Sequence, residues 1–241
     1  MSFSGMFPEI LSSAPFCFTI RKNMAVETRI IRIRPDRVGP DVVALIAGVL
    51  RKGGIVAYPT DTFYGLGASC FSKRAIRRIY RLKKRERAKP LSILVSDLGM
   101  VRSLAAEIPS LFWELAEEFW PGPLTLILKA SSRLPEEILG PQDSVGIRLP
   151  ALPWLRGLIS KTALPITGTS ANISGEKEIE DPEEVISSFS GRVDLIVDGG
   201  RTEGGLPSTV VDLSSPKPVI LREGAVPRSI LEGYLQVQSG A

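Results

Sequence analysis

Short apolar segments alternate with segments of helical period along almost the entire chain, and this alternation restricts the possible folds more than any other feature. Buried strands are predicted from apolar runs such as GIVAYPT, LSILVS, LTLILK, VDLIVD and PVILRE. Helices are predicted between them, because KRAIRRIYRLKK and SLFWELAEEFW repeat apolar residues at helical spacing. No low-complexity linker or internal repeat interrupts the series. The sequence therefore predicts an α/β fold with a single domain over residues 29–235.

Capping residues predict where several of these helices begin. Ser72, and Asp181 followed by Pro182, are placed to accept hydrogen bonds from the first turn of a helix. Asp41 is predicted to cap a further helix that ends at Gly53, since glycine commonly follows the last helical turn.

The first 24 residues differ from the rest of the chain. Their apolar residues are scattered without a regular period, and Glu9 is the only acid among them. A targeting remnant is one interpretation, but a signal peptide is disfavoured because Arg21 and Lys22 follow the apolar part instead of preceding it. We predict that residues 1–24 are a disordered tail or an artefactual start, with Met24 as the true first residue.

The chain contains no histidine, which excludes several kinds of catalytic and metal site. Ser-His-Asp triads, Cys-His dyads, HExxH zinc sites and histidine general acids or bases all require that residue. The two cysteines, Cys17 and Cys70, form no CxxC motif, which disfavours a disulfide framework and a cysteine zinc site. We therefore expect no metal held by protein ligands alone, and a reducing compartment, the cytoplasm.

The net charge and the hydropathy of the chain exclude fewer classes of binding partner than the missing histidines exclude classes of site. No run of about 18 apolar residues is present, so no transmembrane helix is expected. The formal net charge of +4 permits an anionic ligand without requiring a nucleic acid.

The stretch PTDTFYGLG, residues 59–67, is the first candidate site. It offers three hydroxyls, one carboxylate and two glycines after a predicted strand: Thr60, Thr62, Tyr64, Asp61, Gly65 and Gly67. Glycine lets the backbone approach a ligand closely. An ordinary connection from a strand to a turn explains the same residues, so spacing alone leaves both interpretations open.

A strongly basic run, residues 73–89, is the second candidate. It holds ten Lys or Arg residues and one acid, Glu86. Its first part fits the solvated face of a helix. Its last part enters the connection before LSILVS, where cations can converge on one polyphosphate: Lys83, Lys84, Arg85, Arg87 and Lys89. We therefore predict anion binding there.

Three weaker candidates follow along the chain. Arg148 lies at a strand end, where an arginine can clamp a carboxylate, although an isolated surface arginine is the commoner case. TGTSANISG, residues 167–175, suits phosphate binding through N–H and hydroxyl groups, but a plain turn uses the same residues. It is not a P-loop, because GxxxxGK[ST] is absent. Ser208 and Arg222, at strand ends, are weak signals individually.

Taken in order, the motifs PTDTFYGLG, LKKRERAKPL, FWPGPLTLIL, VGIRLP, TSANISG, PSTVVDL and LREGAV resemble the YrdC family. The resemblance extends from about Lys52 to Val226 and implies an open, twisted mixed sheet with helices and a basic concave face. It implies that L-threonine, bicarbonate and ATP are converted to threonylcarbamoyl-AMP and pyrophosphate, with Mg²⁺ accompanying ATP. It also implies two further partners: the proteins of a threonylcarbamoyl-transfer complex, and a tRNA whose adenosine receives the group.

The resemblance also assigns individual residues to two substrates. At ATP it implies the catalytic pair Lys83 and Arg85 on the phosphates, and five further nucleotide contacts: Lys89, Ser144, Ser170, Asn172 and Arg222. At threonine it implies Arg148 on the carboxylate, with three neighbours: Thr62, Gly168 and Ser208. The proposed nucleophile is a carbamate formed from the substrates. No protein nucleophile is then required, which agrees with the missing histidines.

Three residues depart from the family's commonest pattern. Many relatives have Asn at the position of Lys89, His at Leu94 and a small hydroxyl residue at Glu178. These departures also occur in the YciO branch, so a YciO-like paralogue is one alternative. The chain ends soon after LREGAV, from which we expect no additional C-terminal domain.

Two other functions remain open at this stage. A basic sheet surface also suits a module that binds double-stranded RNA or tRNA without catalysis, although few aromatic residues lie among the charges. A carbamoyl-transfer enzyme is disfavoured, because no acylphosphatase or zinc-finger region is recognisable.

Overall fold

The computed structural model describes residues 26–87 and 89–237. Its strands are β1 (Arg29–Arg32), β2 (Val56–Pro59), β3 (Tyr64–Gly67), β4 (Ser92–Leu94), β5 (Ala105–Glu107), β6 (Leu124–Ala130), β7 (Ser144–Arg148), β8 (Ile166–Ser170), β9 (Leu195–Asp198), β10 (Thr209–Asp212) and β11 (Val219–Arg222). Its α-helices are α1 (Pro40–Arg51), α2 (Lys73–Leu82), α3 (Leu98–Leu104), α4 (Ser110–Phe119), α5 (Pro153–Thr162), α6 (Pro182–Phe189) and α7 (Arg228–Val237). The predicted tail, residues 1–24, lies outside the described residues.

Two of the three predicted helix caps are present. The Ser72 hydroxyl accepts a hydrogen bond from Ala75 N, and the Asp181 carboxylate accepts one from Glu183 N. The prediction that Asp41 caps α1 is wrong, because the helix begins at Pro40 and Asp41 lies in its first turn. Proline suits this first position since its missing N–H needs no partner, and a carboxylate there still faces the positive helix end.

The strands form one mixed sheet with the order β1-β9-β2-β3-β8-β4-β7-β6-β10-β11, and β5 pairs with β6 beside this series. Parallel pairs join β1 to β9, β9 to β2, β4 to β7 and β6 to β10. The other neighbours are antiparallel. The predicted α/β class and mixed sheet are therefore confirmed.

Helices cover the two faces of the sheet unequally. The larger core contains apolar side chains of α2, α3, α4, α6 and α7. The smaller core, on the opposite face, contains those of α1 and α5. Along β2, Ala57 belongs to the larger core and Val56 and Tyr58 to the smaller, as the period of a strand requires. Two helices thus leave part of the second face available for a site.

A search for membrane-spanning segments was limited to residues 26–87 and 89–237. None of the helices in these ranges combines the length and the apolar character needed to cross a bilayer.

Candidate functional site

The floor of the main cleft is built by the strands that also build the core. On β7, Val145 and Ile147 point into the larger core, whereas Gly146 and Arg148 line the cleft. The same alternation holds on β6 and β10. Because successive side chains of a strand point to opposite faces, each core strand supplies every second residue to the site.

The cleft has a volume of about 540 Å³ and brings together most of the residues predicted from sequence. Eight of them line its wall: Thr62, Arg85, Lys89, Arg148, Gly168, Ser170, Ser208 and Arg222. Three do not: Lys83, Ser144 and Asn172. Residues separated by as many as 160 positions in the chain therefore share one space.

Two arginines on the cleft wall are held in place by backbone carbonyl groups. Arg85 donates from Nε to Lys89 O at 2.6 Å and from Nη2 to Pro90 O at 3.0 Å. Arg222 donates from Nε and Nη2 to Ser208 O, at 3.1 and 2.7 Å. Within the described residues, neither Nη1 group has a hydrogen-bond partner, so both remain available to a ligand in the cleft.

The third arginine of the cleft, Arg148, is held by a carboxylate. Its Nη2 donates to Asp61 Oδ2 at 2.6 Å, and its Nε donates to Gly122 O at 2.9 Å. The side chains of Arg148 and Asp61 are only 10% and 12% exposed, so this is a nearly buried ion pair. The second oxygen of Asp61, Oδ1, is buried and lacks a hydrogen-bond partner within the described residues. Sequence reasoning had noted Asp61 as a carboxylate but gave it no partner.

The electrostatics of Arg222 show that several charges face the same space. Burial lowers the pKa of its guanidinium, the Glu178 carboxylate raises it, and Arg85 and Arg148 lower it further. Burial also lowers the pKa of Arg85, which the Tyr80 hydroxyl partly opposes. Cations that repel each other in a partly desolvated cleft favour an anionic ligand, because the ligand relieves that repulsion.

Glu178 is an acidic residue among the basic side chains of the cleft. Within the described part of the chain it is the one acidic residue that lines the cleft, and it forms no salt bridge. It is partly buried and acts electrostatically on both Lys83 and Arg222.

Lys83 lies behind the wall and not on it. Only 1% of the residue is exposed, and its Nζ donates to Ser170 O at 2.5 Å, Asn172 O at 2.7 Å and Asn172 Oδ1 at 2.9 Å. Burial lowers the pKa of its ammonium to about 7, with a smaller contribution from Arg85, whereas Glu178 opposes the shift. In this arrangement Lys83 holds the connection after β8 in place.

Asn172 completes that connection from within. Its Oδ1 also accepts from the Ser170 hydroxyl at 2.7 Å, and its Nδ2 donates to Glu176 O at 2.6 Å. Asn172 is buried, so of the SxN pair only Ser170 reaches the cleft. Ser144 is also buried, pairs with Lys129 in the sheet, and lies outside the cleft lining.

Gly168 and Leu94 face each other across the cleft floor. A Cβ atom at Gly168 would lie 2.7 Å from Cγ and Cδ2 of Leu94, so only glycine fits beside this leucine. Leu94 also lies opposite Arg148 in the parallel register of β4 and β7. An apolar surface therefore adjoins the Arg148 guanidinium.

A hydroxyl pair on the cleft wall was missed by sequence reasoning. Thr125 Oγ1 lies 3.0 Å from Ser208 Oγ, which also accepts from Arg222 Nη2 at 3.2 Å. The signal was available, because the alternation in LTLILK places Thr125 and Ile127 on the face opposite the leucines.

The chain resembles known proteins over most of its length. The family model for Sua5, YciO and YrdC proteins, described as telomere recombination, matches residues 48–224. A curated protein of Pyrococcus abyssi, named threonylcarbamoyl-AMP synthase, is 40% identical over 205 residues. That match covers 85% of this chain and 60% of the relative, so the chain spans less than two thirds of that protein.

Solved structures agree with the sequence matches. The crystal structure of Pyrococcus abyssi Sua5 complexed with L-threonine superposes with a TM-score of 0.79 at 38% identity, covering 86% of this chain and 60% of that one. The crystal structure of Escherichia coli YciO superposes with a TM-score of 0.75 at 29% identity, covering 83% of this chain and 96% of that one.

Proposed function

Because the chain belongs to the family of Sua5, YciO and YrdC proteins, we propose that it is an L-threonylcarbamoyladenylate synthase. The proposed reaction joins L-threonine, bicarbonate and ATP to give threonylcarbamoyl-AMP and pyrophosphate. The observation that carries the proposal is one cleft lined by three fixed arginines: Arg85 and Arg222, which backbone carbonyls hold, and Arg148, which the Asp61 carboxylate holds. A relative complexed with L-threonine supports the same conclusion.

The chemistry needs no nucleophile from the protein. The threonine amine and bicarbonate form a carbamate with loss of water, a carbamate oxygen attacks the α-phosphorus of ATP, and the bond to pyrophosphate breaks. The chain's task is to hold two anionic reactants together and to stabilise the charge that develops during attack. A cleft of about 540 Å³ is large enough for a nucleotide and an amino acid side by side.

At the nucleotide end, Arg85 and Arg222 would contact the phosphates through the N–H groups that the backbone carbonyls leave free. Ser170 and Lys89 line the same cleft and would add further contacts. We assign Lys83 and Asn172 to the same substrate indirectly, because they fix the connection that carries Ser170. Ser144 stays a predicted nucleotide contact.

At the amino-acid end, Arg148 would bind the threonine carboxylate. Asp61 and Gly122 O already fix the guanidinium, so little side-chain entropy is lost on binding. Thr62, Gly168 and Ser208 line the adjoining wall and are assigned to the same substrate.

Mg²⁺ is proposed to enter with ATP as part of the substrate complex. Among residues 26–87 and 89–237, no group of three or more His, Cys, Asp or Glu side chains is arranged to hold a metal ion. The donor set fits a magnesium ion bound chiefly by phosphate oxygens and water, with Glu178 as the carboxylate available in the cleft. There the ion would neutralise phosphate charge.

The remaining partners follow from the proposed product. An activated threonylcarbamoyl group requires an acceptor, for which we propose a tRNA adenosine and the proteins of a transfer complex. The cytoplasm is the compartment we propose for these steps.

Pyrophosphate release tests the proposed function directly. The purified protein is incubated with ATP, Mg²⁺ and bicarbonate, with and without L-threonine. We expect release to depend on threonine and to respond little to serine or alanine. Release without threonine dependence would overturn the proposal, and a titration of tRNA at several salt concentrations would then examine the RNA-binding alternative.

A further inference from the structure

The hydroxyl of Thr60 has its full set of hydrogen bonds. Its proton must point to Phe63 O at 2.6 Å, because a carbonyl oxygen can only accept. One of its two lone pairs accepts from Thr62 N at 3.1 Å. The second lone pair faces Thr62 Oγ1, which lies 3.2 Å away.

This arrangement determines the orientation of the Thr62 hydroxyl. The oxygen pair alone leaves the donor undecided, but the proton of Thr60 is already used by Phe63 O. Thr62 must therefore donate its own proton to Thr60, and both lone pairs of Thr62 Oγ1 stay unused. Since Thr62 lines the cleft, the cleft is offered a hydrogen-bond acceptor and not a donor.

An acceptor and a fixed cation on one cleft wall match the two charged ends of an α-amino acid. The Arg148 guanidinium suits the carboxylate, and an oxygen with two free lone pairs suits N–H donors of the amine. A Thr62 hydroxyl free to rotate would instead direct its own proton at that amine in part of its orientations, which would weaken the contact.

We propose that Thr60 is a positioning residue that fixes Thr62 as the acceptor for the amine of the amino-acid substrate. The inference rests on the proposed function, because it assumes that an amino acid occupies the cleft beside Arg148. Thr60 also lines the cleft, but its hydroxyl is already used by Phe63 O, Thr62 N and Thr62 Oγ1, so it would act on the substrate through Thr62.

A purely structural role for Thr60 must be separated from this one. Thr60 also closes the turn between β2 and β3, where its N–H donates to Phe63 O at 3.2 Å. Loss of the turn would disturb the whole cleft, including its nucleotide end. A positioning role predicts a change confined to the amino acid.

The test compares Thr60→Val, which removes the hydroxyl, with Thr60→Ser, which keeps it. Pyrophosphate release is measured while L-threonine and ATP are varied in turn. We expect Thr60→Val to raise the KM for threonine roughly 2- to 10-fold, because the Thr62 hydroxyl is then free to rotate and its contact with the amine is weakened and not lost. The KM for ATP and the kcat at saturating threonine should change little. Thr60→Ser, which keeps the hydroxyl, should have a KM for threonine close to that of the wild type.

Thr28→Val is the matched control. Thr28 Oγ1 likewise donates to a carbonyl, Val193 O at 2.6 Å, and accepts from a backbone N–H, Gly191 N at 2.8 Å, but it does not line the cleft. Its substitution removes similar hydrogen bonds and should leave both KM values unchanged. Thermal unfolding of all three variants reports any loss of folding.

The outcomes separate the two proposals. If the wild type releases pyrophosphate without threonine dependence, the proposed function fails and the positioning role fails with it. If the wild type depends on threonine but Thr60→Val has an unchanged KM for it, or raises both KM values equally, only the positioning role is overturned. If Thr60→Val does not fold, Thr60→Ser decides: a large rise in its KM for threonine overturns the inference.

Discussion

The two ends of the cleft hold their arginines in different ways. Where the nucleotide is proposed to bind, Arg85 and Arg222 are fixed by neutral carbonyl oxygens, so no carboxylate offsets their positive charge through these bonds. Where the amino acid is proposed to bind, Arg148 is fixed by the Asp61 carboxylate, so that pair has almost no net charge. Arg148 therefore offers a ligand oriented N–H donors but little net positive charge. The difference suits a polyanion at one end and a zwitterion at the other.

The largest effect, a loss of stability, should come from breaking the nearly buried ion pair between Arg148 and Asp61. Arg148→Ala leaves the Asp61 carboxylate unpaired, so the free energy of unfolding should fall by about 3 kcal/mol or more. Arg222→Ala removes hydrogen bonds to two neutral acceptors, the carbonyl and the hydroxyl of Ser208, and should cost about 1 kcal/mol. Denaturant titration measures both changes.

A double variant sharpens that test. Arg148→Ala combined with Asp61→Ala should recover part of the lost stability, because no uncompensated charge then stays buried. Equal destabilisation by Arg148→Ala and Arg222→Ala, or no recovery in the double variant, would contradict the contrast between the two ends.

At the nucleotide end, Arg85→Ala should act on catalysis and not on the fold. Loss of one charge-stabilising contact slows pyrophosphate release about 100-fold, or about 3 kcal/mol. The KM for threonine should stay near that of the wild type, and the free energy of unfolding should fall by only about 1 kcal/mol, as for Arg222→Ala. Arg74→Ala, which removes an exposed cation of α2 outside the cleft, is the control and should leave the rate unchanged. A rate for Arg85→Ala equal to that of the control would remove Arg85 from its proposed role.

The smallest effect is expected from the acid at the nucleotide end. Glu178→Gln removes a negative charge beside Arg222, so ATP without Mg²⁺ should bind severalfold more tightly at low salt. The gain should shrink as salt is added, since screening shortens the range of the charge. Calorimetric titration of ATP measures it, with Glu107→Gln, an exposed acid outside the cleft, as the comparison. Weaker binding in Glu178→Gln would show that this carboxylate favours the nucleotide.

Sequence patterns identified most of the strands and most of the cleft residues, because both depend on local order along the chain, although Tyr64–Gly67 was interpreted as a turn and forms β3. The buried position of the Lys83 side chain does not follow from local sequence order. It is the C-cap of α2, and the next residue, Lys84, has a φ of 49° that turns the chain away, so the lysine side chain enters the interior. A basic run alone gives no indication of which lysine the turn will bury.

The partner of Arg148 was also beyond local pattern. Asp61 lies 87 residues earlier, and only the folded sheet brings the two side chains together.

The short strand β5 was missed in the sequence for a different reason. Strand β5 has three residues and pairs only at its irregular contact with β6, so it leaves almost no period in the sequence.

The division of β7 between core and cleft has a consequence for folding. A slip of one residue in the register of this strand would turn Arg148 towards the larger core and expose Val145 and Ile147 to water. A guanidinium among apolar side chains is far costlier than a misplaced polar group, so the misaligned strand would be unstable. The arginine proposed to hold a substrate thus also helps the chain to find its correct alignment.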